Sequence, residues 1–190
     1  MSTALIMIDI QNDYFPNGRM ELSNPGQAAD NAANVLDWFR QNNKENIFHV
    51  HHIANDSSLG FFLPNTEGVN VHETVLPSED EQTITKRAPN SFFNTELESK
   101  LKEKGITKLV VVGMMTHMCI DATVRNAVEL GFDTTLIEDA CATRSLSYRD
   151  KVVPADEVHY AFVSALNDMY ANAITTEDFL QQEADTILNN

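Results

Sequence analysis

Lys108-Leu-Val-Val-Val-Gly113-Met-Met-Thr116-His-Met-Cys119-Ile-Asp-Ala-Thr-Val-Arg125 changes its hydrophobic period half-way along. Leu109 to Val112 is an unbroken apolar, largely β-branched run, the pattern of a strand covered on both faces, as in a parallel sheet. From Ile120 the apolar residues recur at Val124, Ala127 and Val128, one stripe of a helix. Cys119 stands where strand gives way to helix. Thr116 is the expected N-cap, which places Cys119 in the first helical turn, where free N–H groups and the helix dipole favour an anion. The expectation is a thiol that ionises more easily than usual and reacts as thiolate.

Working outward, Ala4 to Ile8 is a second continuous apolar run ended by Asp9, and Gln11-Asn-Asp-Tyr-Phe-Pro-Asn-Gly18 is turn chemistry at its carboxyl end. The spacing predicts a helix over 27–41, a strand over 46–53, a short strand over 83–87 ended by Pro89, and a helix over 95–104 closing on Gly105. Beyond the opening stretch it predicts a strand over 133–137, a long helix over 154–170 and a short strand over 173–175. Between 54 and 82 lies a long irregular segment holding Gly60-Phe-Phe-Leu-Pro64; loops of that length inside a compact domain are more often functional, and this one is expected to cover a site. Strands alternating with helices read as one α/β domain over 1–190 with a mainly parallel sheet. In such sheets ligands bind outside the carboxyl ends of the strands, where Asp9, Lys86 and Cys119 all fall.

The chain carries a formal charge of −15, which disfavours nucleic acid or an anionic membrane surface as partners, because either would repel it. The apolar N-terminus lacks the basic start of a signal peptide and is interrupted by Asp9 too early for a membrane span. Two cysteines, Cys119 and Cys141, show no framework or zinc spacing. The reading is a cytoplasmic protein acting on a small molecule. His49 and His51 share one strand face, a spacing a metal can use, but no carboxylate lies near them in sequence; neither a metal nor another cofactor is expected.

A cysteine nucleophile needs a proton acceptor, a cation that favours its thiolate, and N–H groups for the oxyanion formed on a carbonyl. Asp9 and Lys86 supply the first two, although strand phase alone does not say whether Lys86 or Arg87 points inward. Four segments in order, Ile8-Asp9-Ile-Gln11-Asn12-Asp13, Lys86-Arg-Ala-Pro-Asn-Ser-Phe-Phe93, Val112-Gly-Met-Met-Thr-His-Met-Cys119-Ile-Asp-Ala-Thr-Val-Arg125 and Ile137-Glu-Asp-Ala-Cys-Ala-Thr143, resemble the isochorismatase-like cysteine hydrolases nearly end to end. The resemblance implies a three-layer αβα fold with a doubly wound sheet, and Asp9, Lys86 and Cys119 as catalytic triad. It also implies a cis peptide between Met114 and Met115, an oxyanion hole from the N–H groups of Met115 and Cys119, and a homo-oligomer, dimer or tetramer. Nicotinamidases of that superfamily carry an Asp-x-His metal motif after the second strand, where this chain has Phe48-His49-Val50-His51-His52.

The activity implied is hydrolysis of a small molecule's C–N bond through a thioester. Vinyl-ether hydrolysis of the isochorismatase type, with Cys119 dispensable, and a non-catalytic ligand-binding protein with an ordinary thiol are the alternatives. Phe15, Phe61, Phe62, Phe92, Phe93 and His117 are the expected pocket lining, since ligand sites are mostly apolar with few polar groups. Cys141, between alanines, is expected to pack in the core.

Overall fold

The computed structural model describes residues 2–188; Met1, Asn189 and Asn190, the ends of the domain expected over 1–190, lie outside the described residues. Strand β1 (Ser2–Ile8) leads through the turn at 12–14 to helix α1 (Pro25–Asn42) and then to β2 (Ile47–His52). After the long segment, which contains only short 3-10 turns, come β3 (Gln82–Lys86), α2 (Leu97–Glu103) and β4 (Ile106–Met114). A π-turn over Thr116–Ile120 runs directly into α3 (Asp121–Glu129). Then follow β5 (Asp133–Ala142), a hairpin of β6 (Leu146–Tyr148) and β7 (Lys151–Val153), α4 (Ala155–Met169), β8 (Asn172–Ile174) and α5 (Thr176–Leu188).

Six strands form one sheet in the order β3-β2-β1-β4-β5-β8, with every pairing parallel. The chain winds outward from β1 in one direction and from β4 in the other, so the sheet is doubly wound. Side chains alternate across it with period two. Leu5, Met7, Val110 and Val112 face a layer holding Val35, Leu36 and Phe39 of α1 and Phe179 of α5. Ala4, Ile6, Leu109 and Val111 face Leu101 of α2, Val124 of α3 and Leu166 of α4. Burial of each Leu, Ile or Val removes enough apolar surface from water to contribute about 1.5–3 kcal/mol, which is why the two continuous apolar runs take the middle of the sheet. At Ile8 and Gly113 the two central strands come so close that a Cβ on Gly113 would sit 2.0 Å from the Ile8 carbonyl oxygen, and only glycine fits there.

The expected elements are present with ends shifted by up to three residues, and three features differ. β5 continues from 137 to 142 through Glu138 and Asp139, because Asp139 accepts from the N–H and hydroxyl of Thr176 at 2.8 and 2.7 Å, and Glu138 lies 3.3 Å from His159. The polar pair that read as a strand end is satisfied by partners distant in sequence. The β6–β7 hairpin and α5 were not among the expected elements. Among the described residues no helix is long and apolar enough to cross a membrane.

Candidate active site

The switch of winding direction falls between β1 and β4, and their carboxyl ends open a crevice there. Asp9 follows β1 in a left-handed backbone conformation, φ 51°, with its N–H on the Val50 carbonyl at 2.9 Å. Aspartate tolerates this region better than most residues, and the bend turns its carboxylate toward β3. Lys86 ends β3 as the register partner of His52 on β2, so both side chains leave the sheet on the same side. Cys119 sits in the π-turn after β4, beyond the Met114–Met115 peptide, which is cis. The Met115 carbonyl accepts from the N–H groups of Met118 and Ile120 at 3.0 and 3.2 Å. Thr116 is not the N-cap expected from the sequence: its hydroxyl bonds His159 Nδ1 at 3.0 Å, a partner on α4 invisible to local pattern.

Three strands thus bring Asp9, Lys86 and Cys119 together, all buried. Lys86 Nζ lies 2.7 Å from Asp9 Oδ2, 3.2 Å from Cys119 Sγ, 3.2 Å from His52 Nδ1 and 3.0 Å from the Ala88 carbonyl oxygen. An ammonium has three protons, so four acceptors compete for them. At 2.7 Å the Asp9 contact is a charge-assisted pair set off the ideal hydrogen-bond axis, and Asp9 has no donor besides the Lys86 ammonium and the Cys119 thiol among the described residues. Asp9, His52 and Cys119 also have the spacing of a metal-ligand set, with Nζ in contact with all three; the positive charge among them is the ammonium.

Burial opposes the Lys86 charge, but the carboxylate of Asp9 and then Cys119 outweigh it, and the ammonium pKa is raised. Burial first, and Lys86 second, push His52 down to about 4, so its imidazole is neutral. The Cys119 thiol is pushed up, by burial and then by the Asp9 charge, against a smaller opposing effect of Lys86. The easily ionised thiolate expected from the helix start is therefore overturned. In the resting site a neutral thiol faces a carboxylate–ammonium pair, because desolvation and a neighbouring anion outweigh the cation and the turn.

Sγ opens on a cleft of about 370 Å³ whose walls include Tyr14, His52, Phe61, Arg87, Met115 and Met118. Of the six residues expected to line the pocket, Phe61 alone does. Phe62 lies fully buried behind it, its ring centroid 4.8 Å from that of Phe61. Phe15 stacks on His72 at 3.6 Å, and Phe92 packs in the core near Phe132. Phe93 is exposed at the neighbouring depression with Asn94 and Arg87. His117 turns away to Thr143 and Phe162. Lys86 points inward and Arg87 outward, which settles what strand phase left open.

The Isochorismatase domain model matches residues 3–178. The chain belongs to the isochorismatase family. Family membership places it among hydrolases. YddQ, an uncharacterised isochorismatase family protein of Bacillus subtilis, is 59% identical over 181 residues, covering 95% of this chain and 100% of that one. A crystal structure from Oleispira antarctica assigned to the isochorismatase hydrolases superposes with a TM-score of 0.90 at 41% identity, covering 94% of this chain and 96% of that one. The streptothricin hydrolase of Streptomyces noursei is 33% identical over 144 residues, covering 74% of this chain and 49% of that one.

Within this isochorismatase-family chain, two side chains passed over as turn residues fasten the long segment to the site. The amide of Gln11 accepts the His52 N–H at 2.8 Å and donates to the carbonyls of His52 and Val69 at 2.9 and 2.8 Å. The Asp13 carboxylate accepts from the N–H groups of Phe62 at 2.6 Å and Arg19 at 3.1 Å. Gly68 packs so tightly on it that a Cβ would lie 2.0 Å from Asp13 Oδ1. Gln11 and Asp13 sit in a motif quoted above, but apart from Arg19 their partners are 41 to 58 residues away, so only polar residues beside two aromatics signalled them.

Proposed function

We propose that this protein is a cysteine hydrolase that cleaves the C–N bond of a small amide through a thioester. The observation that carries the reading is the buried Lys86 ammonium, 2.7 Å from Asp9 and 3.2 Å from the Sγ of Cys119, which lines a cleft. Asp9 takes the thiol proton as Sγ attacks the carbonyl carbon. Lys86 offsets the charge that passes from carboxylate to sulfur. The oxyanion is received by the N–H groups of Met115 and Cys119. Collapse of the tetrahedral adduct breaks the C–N bond, and Asp9 returns the proton to the leaving nitrogen. Water, deprotonated by Asp9, then hydrolyses the thioester and restores the thiol. Because the resting thiol is neutral, ionisation accompanies attack instead of preceding it.

The streptothricin hydrolase relative supports a hydrolase acting on a small molecule. Homo-oligomerisation belongs to the same proposal, supported by exposed Tyr148 and Val152 on the hairpin and Tyr160 and Met169 on α4. Sedimentation velocity showing only monomer at micromolar concentration removes that part.

The test is a panel of small amides assayed for ammonia or amine release, with mass spectrometry of the quenched protein for an acyl adduct on Cys119. Release that vanishes in Cys119→Ala, with the fold unchanged by circular dichroism, is the expected result. Undiminished hydrolysis by Cys119→Ala sinks the nucleophile. Rapid alkylation at neutral pH no longer separates a catalytic from a non-catalytic thiol, since burial and Asp9 raise this one; the substrate-dependent adduct does.

A further inference from the structure

Two polar groups of the cleft are left without work by the mechanism above. The Tyr14 side chain is almost completely buried and lines the cleft, yet its hydroxyl has no hydrogen-bond partner among the described residues. Its ring is held by Phe61 and Phe62, centroids 5.8 and 4.7 Å away, so the hydroxyl direction is set by packing. The backbone around it is tied as well, the Tyr14 N–H to the Gln11 carbonyl and the Leu22 N–H to the Tyr14 carbonyl, both at 3.0 Å. His52 is the second such group. Its Nδ1 accepts from Lys86 Nζ at 3.2 Å, and its backbone N–H and carbonyl are both held by Gln11. With Nδ1 accepting, the neutral ring carries its proton on Nε2, which has no protein partner among the described residues. His52 also lines the cleft.

Neither atom is among the fully enclosed polar atoms that lack a partner, so each is reached by solvent through the cleft, and a ligand that displaces that water must replace its hydrogen bond. Here two rigid donors open on one small cleft beside the attacking sulfur. Neither is needed for proton transfer, charge compensation or the oxyanion. The other polar lining residues, Asn55, Asp56, Ser58 and Arg87, are exposed at the rim, and the rest of the wall, Leu59, Phe61, Pro89, Met115 and Met118, is apolar. What the pair selects is therefore a hydrogen-bond acceptor on the substrate, in a setting otherwise suited to a small hydrocarbon portion.

We propose that Tyr14 Oη and His52 Nε2 form a two-donor specificity site that selects amides whose acyl portion carries a second acceptor oxygen or nitrogen close to the scissile carbonyl, such as a 2-oxo amide, over amides with a plain hydrocarbon acyl group. The class rests on the C–N hydrolase reading. The pair of donors does not reject on charge; it rejects by leaving two buried N–H or O–H groups unpaired when a methyl group stands in place of the oxygen. Arg87, exposed at the mouth of the cleft, meets any polar group at the other end of the molecule.

The experiment separates recognition from chemistry by using the full chain carrying Cys119→Ala, which binds without turnover. Pyruvamide and isobutyramide are nearly the same shape and differ by a carbonyl oxygen in place of a methyl group. Their dissociation constants are read by NMR titration of the ligand methyl signals. The expected result is a preference for pyruvamide of about tenfold or more, since each neutral hydrogen bond nets roughly three- to tenfold in binding. Adding Tyr14→Phe removes one donor and keeps the ring. His52→Asn keeps an acceptor for Lys86 and removes the Nε2 proton. Each is expected to cut the preference several-fold, and the two together to abolish it while isobutyramide binding changes less than twofold.

Equal binding of the two amides overturns the proposal, as does a preference that survives in both variants or the absence of saturable binding by either amide. Preferential binding to Cys119→Ala together with no acyl adduct and no ammonia from pyruvamide in the unsubstituted enzyme preserves the specificity site and overturns the hydrolase reading. An adduct formed equally well from both amides does the reverse.

Discussion

Strand β2 carries a histidine into each of two buried charge clusters, one at His49 and one at His52, and the contrast between them explains which is structural and which chemical. At the first, Glu81 receives Nε and a terminal nitrogen of Arg40 at 2.7 and 3.0 Å, His49 Nε2 at 2.8 Å and the Ser78 N–H at 2.9 Å. Its carboxylate has no capacity to spare. Burial alone would raise its pKa, but Arg40, the Ser78 N–H and His49 hold it down at about 2. The cluster ties α1, β2 and the end of the long segment together. At the second, the Lys86 ammonium and the Cys119 thiol are the only partners of the Asp9 carboxylate among the described residues, while Lys86 has more acceptors than protons. A saturated carboxylate is a fastening; the undersaturated one beside the thiol is the proton acceptor of the proposed mechanism. The same residue types give opposite roles because their hydrogen-bond capacity is filled in one place and left open in the other.

The contrast breaks most sharply on substitution of each acid by its amide. Asp9→Asn keeps the shape and removes the acceptor, and the rate of amide hydrolysis is expected to fall about 10²- to 10⁴-fold, the range for a lost general base, with the melting temperature little lowered. If Asp9→Asn hydrolyses amides at an unchanged rate, the chemical role fails. Glu81→Gln is expected to do the opposite: turnover per folded molecule is retained, and stability to urea falls by about 2–3 kcal/mol because Arg40, His49 and the Ser78 N–H lose a charged partner. Unchanged stability in Glu81→Gln would remove the fastening.

A pH series sharpens the comparison further. Glu81 has its folded pKa depressed below its ordinary value of 4.5, so the stability it contributes is fully present above about pH 4.5 and is lost as pH falls toward 2. Wild-type protein is expected to show this acid loss in urea melts, and Glu81→Gln to show less of it. His52 is likewise depressed, from 6.5 to about 4, because burial and Lys86 disfavour its charged form. Its neutral burial favours the fold above about pH 6.5 and does so progressively less between there and pH 4. The smallest expected effect is that His52→Asn flattens this shallow part of the curve; a slope unchanged by the substitution would mean that the imidazole titrates normally.

The comparison also marks where sequence reading ends. Asp9, Lys86 and Cys119 were legible because each closes an apolar run or lies in a motif whose order along the chain matches a known family. Glu81 stood unremarked in a polar loop and His49 looked like half of a metal site, since nothing local says that they meet each other and Arg40 of α1. Phe15, Phe62, Phe92, Phe93 and His117 were assigned to the pocket because ligand sites are mostly apolar with few polar groups, and the fold sends each elsewhere. Of the residues that build the cleft and hold its wall, Gln11 and Asp13 lie in one of those motifs and Tyr14 directly after it, whereas His52, at the end of β2, lies in none.

What the sequence by itself determined is the alternation of apolar periods, hence the α/β sheet with its two central strands, and the identity of the three residues at the strand ends. Periodicity and chain order are local properties, and local properties survive in a string of letters. The protonation state of Cys119, the inward choice of Lys86 over Arg87, the replacement of Thr116 as a cap by its bond to His159, and the lining of the cleft were decided only by tertiary structure. Each depends on how deeply a group is buried and which distant charge or donor stands within about 3 Å of it, and desolvation and hydrogen bonding are properties of that assembled environment.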